Sequence, residues 1–123
     1  MHILVVDDST DLLDMLSIVY SRRNFLISGV RSREELFLGL ERMIPDLILL
    51  DVVLDNSDGR AICKELKSNE AFRNIPVILM SADPEQLQQH QEIFADDIME
   101  KPFSTETILM KVKALLRKIP NSS

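Results

Sequence analysis

One cysteine and three glycines are all that 123 residues supply of two residue types on which whole classes of function depend. The lone Cys63 cannot close an intramolecular disulfide, and it offers no thiolate cluster to a metal. The glycines form no phosphate-cradling loop, so the chain has no nucleotide-binding loop of its own. Long apolar runs are missing too: none approaches the ~20 residues of a membrane span. Met1 to Val6 is apolar, but Asp7 and Asp8 follow at once. A signal peptide needs a basic start and a longer apolar stretch. Basic charge is also scarce, with 14 Lys and Arg against 20 Asp and Glu, a net charge of −6. That balance argues against a nonspecific nucleic-acid surface and against attraction to an anionic membrane. Residues 120–123 are too few for a helix-turn-helix or a catalytic output, so the domain is expected either to act alone or to be one piece of a longer chain. The expectation is a soluble, cytoplasmic protein.

What is present is enough apolar material for one core. Hydrophobic residues make up 46% of the chain and charged residues 28%, the balance of a single soluble domain. The domain is expected over 1–119, with residues 120–123 a disordered tail. Ile3-Leu4-Val5-Val6, Phe25 to Val30, Leu47-Ile48-Leu49-Leu50, Pro76 to Met80 and Asp97 to Glu100 read as strands. Between them the apolar spacing turns helical. Leu12, Leu13, Leu16 and Val19 share one helix face, and Asp8, Ser9 and Thr10 can cap that helix. Ser32-Arg33-Glu34-Glu35 is a capping box before Leu36, Phe37, Leu40 and Ile44. Residues 55–59 form a loop by composition, and Ala61, Ile62 and Leu66 mark a third helix. Pro84 can open a fourth, and Ser104 caps a last one with Ile108, Leu109, Val112, Leu115, Leu116 and Ile119 inward. Strand and helix alternate five times. This predicts an α/β fold: a doubly wound parallel sheet with helices on both faces.

In such sheets, sites form beyond the carboxyl ends of the strands. Strand one ends in Asp7-Asp8, strand three in Asp51, strand four in Ser81-Ala82, and strand five is followed by Lys101-Pro102. Three carboxylates, a hydroxyl and an amine therefore converge on one edge. Crowded carboxylates repel, and a divalent cation with a lysine relieves that repulsion. An all-oxygen donor set favours Mg²⁺, and Mn²⁺ would also fit. A carboxylate beside such an ion is a phosphoryl nucleophile, with metal and ammonium stabilising the transferring charge. The Ser81 hydroxyl can hydrogen-bond a phosphate oxygen.

The set Val5-Val6-Asp7-Asp8-Ser9, Leu49-Leu50-Asp51, Ile78-Leu79-Met80-Ser81-Ala82 and Lys101-Pro102-Phe103 resembles the bacterial two-component response-regulator receiver domain, of the chemotaxis-regulator kind. The resemblance spans essentially the whole chain. It implies a flavodoxin-like five-stranded parallel sheet, order 2-1-3-4-5, with five helices. It implies that Asp51 is phosphorylated by a sensor histidine kinase or phosphotransfer protein. Asp8, Asp51 and the backbone carbonyl of Val53 would ligate Mg²⁺, with Asp7 acting through a metal-bound water. Lys101 would pair with Asp51 at rest and with the phosphate afterwards, and Ser81 would be the switch hydroxyl. Phe103 would pack under the loop, and Lys101-Pro102 would be a cis peptide. The switched surface would be the face of the fourth helix, fifth strand and fifth helix, read by an unidentified protein target.

The chain departs from the family pattern at four points. Ile98 stands where an aromatic is usual, so output is expected to depend more on the 82–96 segment. Phe94 replaces a usual glycine and predicts an altered turn and an irregular fourth helix. Asp55 replaces a common proline, predicting a more mobile and more acidic loop. The segment from Ser81 to Lys101 is slightly short for the family. Val53 and Asp83 are expected to flank the phosphate's entry path. His2, His90, Asp58, Asp96 and Asp97 are expected to be surface or turn residues, and Cys63 a small buried hydrophobe. Two other readings compete. One is a magnesium-dependent aspartyl-nucleophile phosphatase, opposed by Val53 where a second acid is usual. The other is an interaction module without the chemistry, opposed by the intact acid set. The leading expectation is a non-enzymatic phosphoacceptor.

Overall fold

The computed structural model describes residues 2–20, 26–88 and 95–116. Five strands form one parallel sheet: β1 (His2–Val6), β2 (Leu26–Val30), β3 (Leu47–Asp51), β4 (Val77–Ser81) and β5 (Asp97–Glu100). Their order is β2-β1-β3-β4-β5, as expected. Every neighbouring pair is parallel, with Val6 opposite Leu50 and Asp51 opposite Met80. β3 and β4 are buried along their whole length, which explains why they read as continuous apolar runs.

Side chains alternate between the two faces of the sheet. Leu4, Val6, Ile48, Leu50, Val77 and Leu79 face one core, shared with α2 (Arg33–Arg42) and α3 (Gly59–Lys67). Ile3, Val5, Leu47, Leu49, Ile78 and Met80 face the other, shared with α1 (Asp11–Tyr20) and α4 (Thr105–Leu116). Cys63 is buried in the first core, and burial pushes its thiol pKa up to about 11.

The helix signals hold with local changes. Thr10 supplies the carbonyl that accepts from Asp14 N–H, and the Ser9 hydroxyl accepts from Asp11 N–H. The Asp8 carboxylate does not cap α1 but accepts from Asp55 N–H. Ser32 caps α2, accepting from Glu35 N–H at 3.1 Å, while the Glu35 carboxylate accepts from Arg31 N–H, one residue earlier than a closed box requires. α2 ends at Arg42, so Ile44 lies beyond it and is 52% exposed rather than packed. Ser104 caps α4 by accepting from Thr107 N–H. Residues 55–59 are more ordered than a loop: Val53–Leu54 and Ser57–Asp58 form a short antiparallel hairpin. Asn56 at φ 62° makes the tight turn, a conformation asparagine tolerates. Asp58 caps α3 and pairs with Arg60.

Four α-helices are present among the described residues, not five. Of the segment where the fourth was expected, the described residues hold a 3₁₀ turn, Pro84–Leu87, opened by Pro84 and capped by Asp83, and residues 89–94 lie outside them. Phe94, His90 and the Phe25 end of the second strand lie outside the described residues, as do Ile119 and the tail. Asp96 and Asp97 are not bland. The Asp96 carboxylate accepts from Val77 N–H and from Lys67 Nζ, tying α3 to the entry of β4, and Asp97 pairs with Lys111.

Candidate functional site

Three of the predicted residues meet at the carboxyl edge of the sheet. The Lys101 ammonium donates to Asp51 Oδ2 at 2.8 Å and to Asp7 Oδ2 at 3.0 Å. Asp7 and Asp51 keep only 6% and 7% of their surface exposed. Each carboxylate is also held by a nearby backbone amide: Asp7 Oδ1 accepts from Ser9 N–H, and Asp51 Oδ1 from Val53 N–H. The lysine reaches them from the β5–α4 connection. Its own N–H donates to the Ser81 carbonyl, and Lys101-Pro102 is cis, as the resemblance implied. Phe103 packs against the core beneath this connection.

The electrostatics follow from burial. Desolvation holds the Asp51 carboxyl above its ordinary pKa. The bonds from Lys101 and Val53 pull it the other way, and the Asp7 charge pushes it further up. Burial alone would lower the Lys101 ammonium, but its bonds to Asp51 and Asp7 outweigh that and raise it. The Asp8 carboxyl is raised by burial first and then by the neighbouring Asp55 charge.

Asp8 is set differently from Asp7. One of its oxygens accepts from Asp55 N–H at 3.1 Å, and the other is buried with no hydrogen-bond partner. A buried carboxylate oxygen without a donor is costly unless a cation or water faces it. Among the described residues no group of three acid, histidine or cysteine side chains is arranged to hold a metal by itself. A magnesium ion asks for less: one or two carboxylates, with water and phosphate filling the rest. The orphaned Asp8 oxygen and the all-oxygen surroundings fit it.

Ser81 is buried at the end of β4, one residue beyond the partner of Asp51. Its hydroxyl is not turned to Asp51. It donates to Gln86 Oε1 and accepts from Asp83 N–H. Val53 presents a 60% exposed side chain at the rim. The exposed Asp83 spends one carboxylate oxygen on Glu85 N–H, as the cap of the 3₁₀ turn. A cleft of about 500 Å³ opens beside Asp7 and Lys101, walled by Leu12, Met15, Pro102 and Phe103.

Three participants escaped sequence reasoning. Gln86 was one of four glutamines with no assigned part. Asp55 was read for its acidity, whereas its backbone N–H holds Asp8. Gly59 was not singled out. A Cβ there would sit 2.0 Å from the Asp51 carbonyl oxygen, so only glycine lets α3 start against the end of β3. Its place eight residues after Asp51, in a chain with three glycines, was the available signal.

Comparison with known proteins agrees with this geometry. A family model described as the response regulator receiver domain matches residues 3–113. The chain belongs to the response-regulator receiver domain family. It is 35% identical over 118 residues to the alkaline phosphatase synthesis transcriptional regulatory protein PhoP of Bacillus subtilis, covering 94% of this chain and 48% of that protein. It is 33% identical over 120 residues to the phosphate regulon transcriptional regulatory protein PhoB of Escherichia coli, covering 96% of this chain and 52% of that one. The chain thus spans about half the length of the curated relatives it matches. The receiver domain of a signal transduction histidine kinase from Syntrophus aciditrophicus superposes with a TM-score of 0.87 at 32% identity, over 99% of this chain and 94% of that one. A two-component response regulator from Clostridium difficile gives 0.85 at 25% identity, over 96% and 97%.

Proposed function

We propose that Asp51 accepts a phosphoryl group from a histidine kinase or phosphotransfer protein in a magnesium-dependent reaction, and that this switches the surface around the 3₁₀ turn, β5 and α4. The carrying observation is the Lys101 ammonium shared between the buried carboxylates of Asp51 and Asp7 at 2.8 and 3.0 Å. An ammonium in that place neutralises the acids at rest and meets the developing phosphoryl charge during transfer. Asp8, Asp51 and the Val53 carbonyl would hold the ion, with Asp7 reaching it through water. The ion supplies charge neutralisation on the phosphoryl oxygens.

The chain's own groups do the rest. An Asp51 oxygen attacks phosphorus, a new oxygen–phosphorus bond forms, and the bond to the donor nitrogen breaks. The donor leaves with its electron pair. The Val53 amide steadies the carboxylate, and Lys101 passes from the carboxylate to a phosphoryl oxygen. The cleft beside Asp7 and Lys101 leaves room for a donor to approach. Acetyl phosphate with Mg²⁺ tests the reading. Wild type gains one phosphoryl mass and Asp51→Asn gains none; an equal gain in both refutes it.

A further inference from the structure

Ser81 sits beside the proposed phosphoacceptor, yet the structure shows its hydroxyl engaged elsewhere. A serine has one proton to give. Here that proton goes to the side-chain carbonyl of Gln86, while the oxygen accepts from Asp83 N–H at 3.0 Å. The backbone at this point is fixed by β5: Ser81 pairs with Glu100, and its carbonyl accepts from Lys101 N–H at 2.8 Å. With 1% of its surface exposed, Ser81 is closed off from bulk solvent. Turning the hydroxyl toward Asp51 therefore means leaving Gln86.

We infer that Gln86 is a positioning residue that holds the Ser81 hydroxyl away from Asp51 until a phosphoryl group arrives. The inference rests on Asp51 being the phosphoacceptor. Without a phosphoryl group the exchange has little to drive it. The Lys101 ammonium and the Val53 amide already occupy Asp51, and Ser81 would give up a good acceptor for a crowded one. A phosphoryl oxygen changes the balance, because a charge-assisted bond is roughly twice as strong as a neutral one. Ser81 then leaves Gln86, and the amide loses its partner inside a single turn of 3₁₀ helix. Leu87, next along that turn, is buried in the core that Ile98 packs against. Leu87, Gln88, Ile98 and Glu100 also line a cleft of about 200 Å³ with Pro84. Release of Gln86 thus reaches the signalling surface through the 3₁₀ turn, with no aromatic needed at position 98.

Beryllofluoride with Mg²⁺ is the probe, titrated calorimetrically. Gln86→Met keeps the length of the side chain and removes the acceptor. Its apparent Kd is expected to be about fivefold tighter than wild type, the factor for one neutral hydrogen bond of ~1 kcal/mol. In a Ser81→Ala background the same substitution changes nothing, because there is no hydroxyl to hold. An unchanged or weaker Kd in Gln86→Met overturns the inference, as does an equal gain with and without Ser81. The unmodified protein gives a second reading that needs no Gln86 variant. The Gln86 side-chain amide resonances should move in Ser81→Ala, and wild type should move toward those positions on adding beryllofluoride. Resonances indifferent to Ser81 show that the bond is absent and overturn the inference alone. Failure of wild type to bind beryllofluoride overturns the phosphoacceptor reading and the inference together.

Discussion

Replacing Lys101 by methionine leaves a side chain of similar length and removes the charge that two buried acids share. The magnitude follows from the exposures. The Asp7 and Asp51 side chains are 3% and 10% exposed, while Lys101 is 28% exposed. Breaking a fully buried pair costs about 3–5 kcal/mol, and an exposed pair is worth ~0–1 kcal/mol. A partly open ammonium between closed carboxylates falls between, so the expected loss is about 2–3 kcal/mol, or roughly 10 °C in Tm for a domain of this size. The loss must also depend on pH. Without the ammonium, burial and the neighbouring negative charge hold the Asp51 carboxyl pKa above that of the unfolded chain. The native state then binds more protons than the unfolded state, so stability falls as pH rises above about 4 and the deficit vanishes below it. Urea unfolding at pH 7 and near pH 4 measures both. Adding Asp51→Asn should recover at least half of the deficit, since one acid no longer needs the amine. A loss that is the same at both pH values, or that persists undiminished with Asp51→Asn, refutes the electrostatic account of the site.

Four further outcomes are expected. Gly59→Ala should destabilise by about 2–3 kcal/mol in urea unfolding, because its Cβ would lie 2.0 Å from the Asp51 carbonyl and backbone must shift. Cys63, with its thiol raised to about 11 by burial, should resist alkylation at pH 8 in the folded protein and react at once in urea. Mg²⁺ should stabilise the fold by about 2.7 kcal/mol at a hundredfold excess over Kd and raise Tm accordingly, and a chelator should reverse it. Asp8→Asn should abolish that gain, since its orphaned oxygen is the proposed ligand; an undiminished shift would place the ion elsewhere.

The sheet was legible because burial on both faces leaves an unmistakable apolar run. Leu47 to Leu50 and Val77 to Met80 could be little else, and each run ended at a polar candidate residue, Asp51 or Ser81. Asp7, Asp51 and Lys101 were legible for the same reason: strand ends in a parallel sheet share an edge, whatever the distance in sequence. Less could be read where a short side-chain bond decides the outcome. Ser81 was placed correctly, but its choice of Gln86 depends on a single turn of 3₁₀ helix that no periodicity announces. Asp8 looked like a helix cap because aspartate before a helix usually is one, and the hairpin that brings Asp55 N–H to it was hidden in loop-like composition. Gly59 left only a faint signal, its place in a glycine-poor chain, because its importance lies in a contact with Asp51 backbone. Ile44 continued the helical spacing of α2 but fell one turn late, after the chain had already become extended at Met43.

The site of modification can be read directly by trapping it. Borohydride reduces an aspartyl phosphate to homoserine, and peptide mapping after treatment with acetyl phosphate and Mg²⁺ locates that residue. The account predicts homoserine at position 51, and none there when Mg²⁺ is chelated. Homoserine at position 7 or 8 instead, or an unaltered Asp51 in protein that has gained phosphate, would contradict it.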